Sequence, residues 1–172
     1  MQDITIKRIR PSNWLKSILR DEVKGCCPKC GCAEIDSKVL FDIHHIDGNK
    51  ENTEYWNLIY MCRKCHDICE TRRGDDSYTK KQKRYKKYLF RDFIGPASYD
   101  VLLMAFGKGS VLTFPWTARI LLDLELVKLE QDNAGHFGSA KAKPAFSVYD
   151  ITEQGKEWIK ELNLNWRKEG HP

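Results

Sequence analysis

The chain has 172 residues and a mass of 20.1 kDa, with 41% hydrophobic and 31% charged residues, which leaves room for one ordinary domain or two small ones and excludes wholesale disorder or a low-complexity repeat. No run of about 18 apolar residues occurs and the opening MQDITIKRIR has no apolar segment followed by a cleavage site, so no membrane helix or leader is expected and the expected location is intracellular, cytoplasmic. The net charge of +5 is concentrated: Thr71 to Arg91 carries nine Lys/Arg against two Asp, a net of +7, so the remainder sums to −2 and the segment points to a polyanion, nucleic acid first.

Residues 1–11 read as a short basic arm. Ser12 or Asn13 caps a helix running to about Val23, with Trp14, Ile18 and Leu19 on one face. Residues 25–32, GCCPKCGC, form a thiol-rich turn. The β-branched and aromatic stretch 35–46 reads as one or two strands, and DGNKENTEY (47–55) as an exposed loop. Asn57 to Met61 is a short extended segment, and Cys62 opens a turn into a helix broken by Gly74–Ser77. Residues 78–93 form a basic helix interleaved with aromatics, closed by Gly95-Pro96. Beyond it lie an apolar helix from Tyr99 to Phe106 and a helix opened by Pro115, with Trp116, Ile120, Leu121, Leu124 and Val127 at helical spacing. A β-hairpin across 128–150 and a helix from Thr152 to Leu162 complete the chain. The expected fold class is α+β in two domains, 1–95 and 96–172.

Seven cysteines do not make a disulfide framework, and closely spaced thiols in a reducing compartment serve more often as metal ligands. Cys27-x2-Cys30 and Cys62-x2-Cys65 fit a structural zinc site, because an x2 turn aims two sulfurs at one ion about 2.3 Å away. Cys26 and Cys32 are alternatives within the first cluster, and the x2 spacing favours 27 and 30. Cys69, one turn beyond Cys65, reads as a small core residue. His44 and His45 end an apolar strand, where neighbours point to opposite faces unless the strand twists or stops. His66 follows Cys65 on a helix, where neighbours lie about 100° apart, so the two can serve different sites.

CPKC followed by FDIHHIDGNKENTEYWNLIYMCRKCHD resembles the HNH endonuclease motif, the ββα-metal finger, over about residues 26–70. The resemblance implies a metal-dependent DNA endonuclease that hydrolyses phosphodiester bonds, of a site-specific, restriction-type or mobile-element kind. It makes His45 the general base, Asn57 the brace that orients it, and His44 and His66 catalytic metal ligands. Cys27, Cys30, Cys62 and Cys65 match the structural zinc site of many members. Many members carry Asp where His44 stands, and the His-His pair is similar to the colicin-type variant. That leaves the catalytic metal open among Mg²⁺, Mn²⁺, Ni²⁺ and Zn²⁺. Hydrolysis needs an activated water and relief of charge on the leaving oxygen, and a neutral imidazole is a usable base near pH 7.

Within the basic helix, Lys80, Lys81, Lys83, Arg84, Lys86 and Lys87 are candidates for DNA phosphate. The C-terminal half, carrying TARILLDLELVKLE and YDITEQGKEWI, is similar to a winged-helix module for DNA binding or dimerisation. Thr117 and Arg119 are its candidate base readers, and Lys141 and Lys143 its wing contacts. The stretch from Phe106 to Trp116 is too short for the usual second helix and turn. DNA is the expected partner, and a double-strand break from one such site requires two copies or a second event, which admits a homodimer. The competing reading is a non-catalytic zinc-ribbon and winged-helix regulator, which has no reason to retain His44, His45 and His66 together.

Overall fold

A computed structural model describes residues 11–35, 39–135 and 146–166. It is a mixed α and β chain that divides into two compact units between Phe93 and Ile94.

In the first unit, α1 (Asn13–Glu22) begins where the Ser12 hydroxyl accepts the Leu15 N–H at 3.1 Å. It buries Leu15, Ile18, Leu19 and Glu22, one face at helical spacing. β1 (Phe41–His45) and β2 (Leu58–Cys62) form an antiparallel ribbon in which His44 stands opposite Ile59 and His45 opposite Leu58. A 3-10 turn (Tyr55–Asn57) leads into β2, and α2 (Arg63–Glu70) follows it without a break. A two-stranded ribbon is marginal alone. Here α1 lies against β2, and α2 against both strands. Strand β1 is shorter than the stretch 35–46 suggests, and residues 36–38 are outside the described set.

A second contact spans the unit from within. α3 (Asp76–Lys108) is two helical segments that meet at a kink at Gly95, whose φ of 77° only glycine adopts without strain. The following Pro96 also disfavours a helical conformation at position 95. In the half before this kink, Lys86 is fully buried, with its ammonium 2.5 Å from Glu22 and 3.6 Å from the centre of the Tyr55 ring. The Tyr55 hydroxyl donates to the other Glu22 oxygen. Burial drives the Lys86 ammonium down to about 8, against the opposing pull of Glu22. Glu22 and Lys86 are both buried away from solvent, so removing one leaves the other without its partner.

The second unit holds the rest of α3, β3 (Ser110–Thr113), α4 (Pro115–Asp123), β4 (Val127–Gly135), β5 (Phe146–Ile151) and α5 (Glu153–Trp166). Its antiparallel sheet has the order β3-β5-β4, so the expected hairpin forms one side. β3 is a strand absent from the sequence reading, and it alternates Val111 and Thr113 inward with Leu112 outward. Pro115 takes the first helical position of α4 as expected. The apolar stripe expected from Trp116 to Val127 does not hold as one helix face. α4 ends at Asp123, Val127 opens β4, and Trp116 is exposed and stacked on Phe114 with ring centres 4.3 Å apart. Thr152 caps α5, accepting the Gly155 N–H at 3.0 Å. Gly155 is required there, because a Cβ would stand 2.1 Å from the Leu126 carbonyl oxygen.

The buried triad yields a stability prediction. Lys86→Ala strands the Glu22 carboxylate and is expected to cost about 3–5 kcal/mol in urea unfolding. The triple substitution Glu22→Leu, Tyr55→Phe, Lys86→Met removes every polar partner together and is expected to cost markedly less than the single change.

Candidate metal centres

Two clusters of ligand-type side chains occur among the described residues, and both are built on the corner where β2 passes into α2. In the first, the Sγ atoms of Cys27, Cys30, Cys62 and Cys65 all lie within 4.8 Å of one another. Cys27 and Cys30 sit on a tight turn in which the Gly31 N–H donates to the Cys27 carbonyl at 2.8 Å and the Cys27 N–H to the Cys32 carbonyl at 2.7 Å. Cys62 closes β2, and Cys65 lies in the first turn of α2.

Zinc–sulfur bonds of about 2.3 Å put the sulfurs of a tetrahedron about 3.8 Å apart. The Cys30 and Cys62 sulfurs are 3.6 Å apart. The Cys32 backbone N–H and thiol hold the Cys30 thiol down at about 6, while burial pushes the Cys65 thiol up. A divalent cation would offset the burial that opposes a thiolate at Cys65. The donor set is thus compatible with a structural metal such as zinc.

Cys32 lies beside the cluster, 3.4 Å from the Cys30 sulfur, and its own thiol is pushed up to about 12 by burial and by Cys30. Cys26 is exposed. Cys69 is buried against Met61 and Tyr78, away from the four.

The second cluster joins His44, His66 and Glu70. The end of β1 delivers His44, while His66 and Glu70 share a face of α2 as an i, i+4 pair. Glu70 Oε1 is 3.5 Å from His44 Nδ1 and 3.9 Å from His66 Nε2, and the two rings meet edge to face at 5.5 Å. His44 is 3% exposed, and burial holds its imidazole below the ordinary value, outweighing the Gln82 hydrogen bond and the Glu70 charge. It is therefore kept neutral, the state that can ligate a cation. Among the described residues its Nδ1 makes no hydrogen bond, although it is buried. Two imidazoles and a carboxylate around such an atom fit a divalent transition metal.

His45, the next residue on β1, is also buried but does not belong to this ligand set. The chain beyond it is tied down by Asn57, which is 5% exposed. The Asn57 amide oxygen accepts the Asp47 N–H at 3.0 Å, and its amide nitrogen donates to Asp47 Oδ1 at 2.9 Å and to the Asn52 carbonyl at 3.0 Å. The Asn57 carbonyl accepts the Ile46 N–H at 2.8 Å. Burial raises the Asp47 carboxyl, but hydrogen bonds from Asn49, Asn57 and Asn52 and the nearby His45 outweigh it and hold the group below its usual range.

Glu70 escaped the sequence reading, although its spacing from His66 was a usable signal. Gln82 had none, since nothing local ties it to His44, 38 positions away.

On α3, Lys80, Lys81, Lys83 and Arg84 are exposed and Lys87 is half-buried. Lys86 departs from the expectation of a phosphate contact: its charge is sequestered against Glu22, on the inward face with Gln82 and Phe90. Thr117 departs from the expectation of a base reader. Its hydroxyl is engaged at the start of α4, with the Phe114 carbonyl at 2.7 Å and the Thr113 hydroxyl at 2.8 Å. Arg119 is exposed. Lys141 and Lys143 lie outside the described residues. No helix among the described residues is long and apolar enough to cross a membrane.

Comparison with protein-family models, curated proteins and solved structures finds no match to this chain.

Two predictions follow from the geometry of these centres. Elemental analysis of the purified protein is expected to find one tightly held zinc ion, lost in Cys27→Ser and Cys65→Ser together with the cooperative unfolding transition. His44 titrates lower in the folded chain than its ordinary 6.5, so the unfolded chain binds the extra proton in that window. With the second centre metal-free, stability is expected to fall as pH drops through 6.5 toward the lower folded value. Denaturant titrations at about pH 7.5 and about pH 5.5 should show a smaller loss in His44→Gln than in the parent.

Proposed function

We propose that this chain is a metal-dependent DNA endonuclease of the HNH type, with a winged-helix-like C-terminal unit that helps place it on DNA. The observation that carries this reading is the convergence of His44, His66 and Glu70 on a β-β-α frame, with His45 adjacent and Asn57 bracing the loop that follows.

In this reading His44, His66 and Glu70 hold a divalent cation. When bound, such an ion supplies charge stabilisation to the scissile phosphate and the leaving 3′-oxygen. His45 takes the proton from the attacking water, for which its imidazole must be neutral. Asn57 acts through the loop 46–52, holding the backbone beyond His45 in one arrangement. Lys80, Lys81, Lys83 and Arg84 form an exposed basic face suited to backbone phosphate, with Tyr85 and Tyr88 stacked beside them at 6.4 Å. The four-thiol centre has a structural role: Cys27, Cys30, Cys62 and Cys65 would hold a zinc ion and so tie the start of α2, and with it His66, to the loop after α1. The antiparallel order β3-β5-β4 and its flanking helices support the winged-helix likeness. No second helix lies between β3 and α4 among the described residues, which is a departure from that pattern.

The test is incubation with supercoiled plasmid and Mg²⁺, Mn²⁺ or Ni²⁺, against EDTA and His45→Ala. Metal-dependent nicks or linear DNA, reduced at least about 100-fold in His45→Ala, are the expected result. Intact plasmid under every metal, with salt-sensitive retention in a gel shift, would favour the regulator reading instead.

A further inference from the structure

We propose that Gln82 is a positioning residue for the second metal centre: it selects the tautomer of His44 that leaves Nδ1 as the ligating atom. This rests on the reading of His44, His66 and Glu70 as a cation site.

Gln82 lies in the most basic run of the chain, YTKKQKRYKKY, and it is the uncharged polar residue between Lys81 and Lys83. Its neighbours are exposed, while Gln82 is 8% exposed and turned inward, one helical turn from the buried Lys86. Its Oε1 stands 3.3 Å from His44 Nε2. An amide oxygen only accepts, so His44 Nε2 carries the proton and donates it. A neutral imidazole has one N–H, so Nδ1 then presents a lone pair. That atom faces Glu70 Oε1 at 3.5 Å and makes no hydrogen bond among the described residues. A proton on Nδ1 would point toward the Glu70 carboxylate without forming a hydrogen bond to it, whereas a lone pair there completes a donor set with His66 and Glu70 for a cation.

The residue type matters. Lysine at position 82 would set a cation against the ring and repel the metal. An apolar side chain of the same length would leave Nε2 with no acceptor in a buried setting, and the tautomer would no longer be selected. Gln82 thus links the helix proposed to follow DNA phosphate to the ring proposed to hold the metal. Fixing ligand orientation through the second ring nitrogen is a general device, and its loss costs about 10–100-fold in metal affinity.

The experiment uses the full chain with its structural zinc in place and the second centre free of metal. Two-bond ¹H–¹⁵N correlation spectra report which nitrogen of His44 is protonated, with His44→Gln assigning the signals. The parent is expected to show the Nε2–H form. Gln82→Met, which keeps the length and removes the acceptor, is expected to show a mixture with the Nδ1–H form. It should also lower Mn²⁺ affinity about 10–100-fold by calorimetry. Gln82→Glu, which keeps an acceptor, is expected to restore both. A parent ring protonated at Nδ1, or a Gln82→Met spectrum identical to the parent, would overturn the proposal. A tautomer that follows position 82 in a protein that binds no Mn²⁺ would support the role of Gln82 on the ring and defeat the metal reading.

Discussion

Cys27, Cys30, Cys62 and Cys65 meet where the loop after α1 crosses the corner between β2 and α2, and the first unit is organised around that crossing. The cluster of core residues there is small, and Cys27, Cys62, Cys65 and Cys69 make up nearly half of it. A metal held by four thiolates would add cohesion at that crossing to what packing supplies. The same corner sets the direction of α2. Cys65 faces the thiol cluster, and His66 and Glu70 therefore project toward the end of β1, where the strand register leaves His44. One local constraint thus positions two separate groups of ligand-type side chains.

A second constraint acts through α3. Its inner edge carries Gln82, Lys86 and Phe90 at intervals of one turn, while Lys80, Lys81, Lys83 and Arg84 face outward. The buried Lys86–Glu22–Tyr55 contact joins this helix to α1 and to the 3-10 turn that ends at Asn57. A buried ion pair of this kind adds little net stability over well-packed apolar groups, but breaking it leaves an uncompensated buried charge. The same inner edge of α3 brings Gln82 to His44.

The C-terminal unit shows how a short strand depends on its partners. Ser110–Thr113 is four residues long, with a charge-poor alternation too brief to stand out from its surroundings. It becomes a strand because β5, the second strand of the hairpin, offers an open edge: Val111 pairs with Tyr149 and Thr113 with Ser147. Trp116, which fits an apolar helical stripe on spacing alone, instead lies outside the core and stacks on Phe114.

Local chemistry in the sequence was enough for much of this. The x2 cysteine pairs, the Ser12 and Thr152 caps, Pro115 and the residues that frame β1 and β2 act over a few positions, so their effects are legible along the chain. The His44 and His66 pairing was legible through the ordered motif, and Glu70 was within reach through its helical spacing. Tertiary structure alone decided which of the basic residues are exposed and which neutral side chain reaches His44. Lys86 and Lys87 are indistinguishable by type, and only packing against Glu22 buries one and leaves the other partly in solvent. Gln82 gains its place from a contact across 38 positions, and so does the new strand from a partner across a hairpin. Such contacts depend on burial and strand pairing between distant segments, which the order of residues along one segment does not encode.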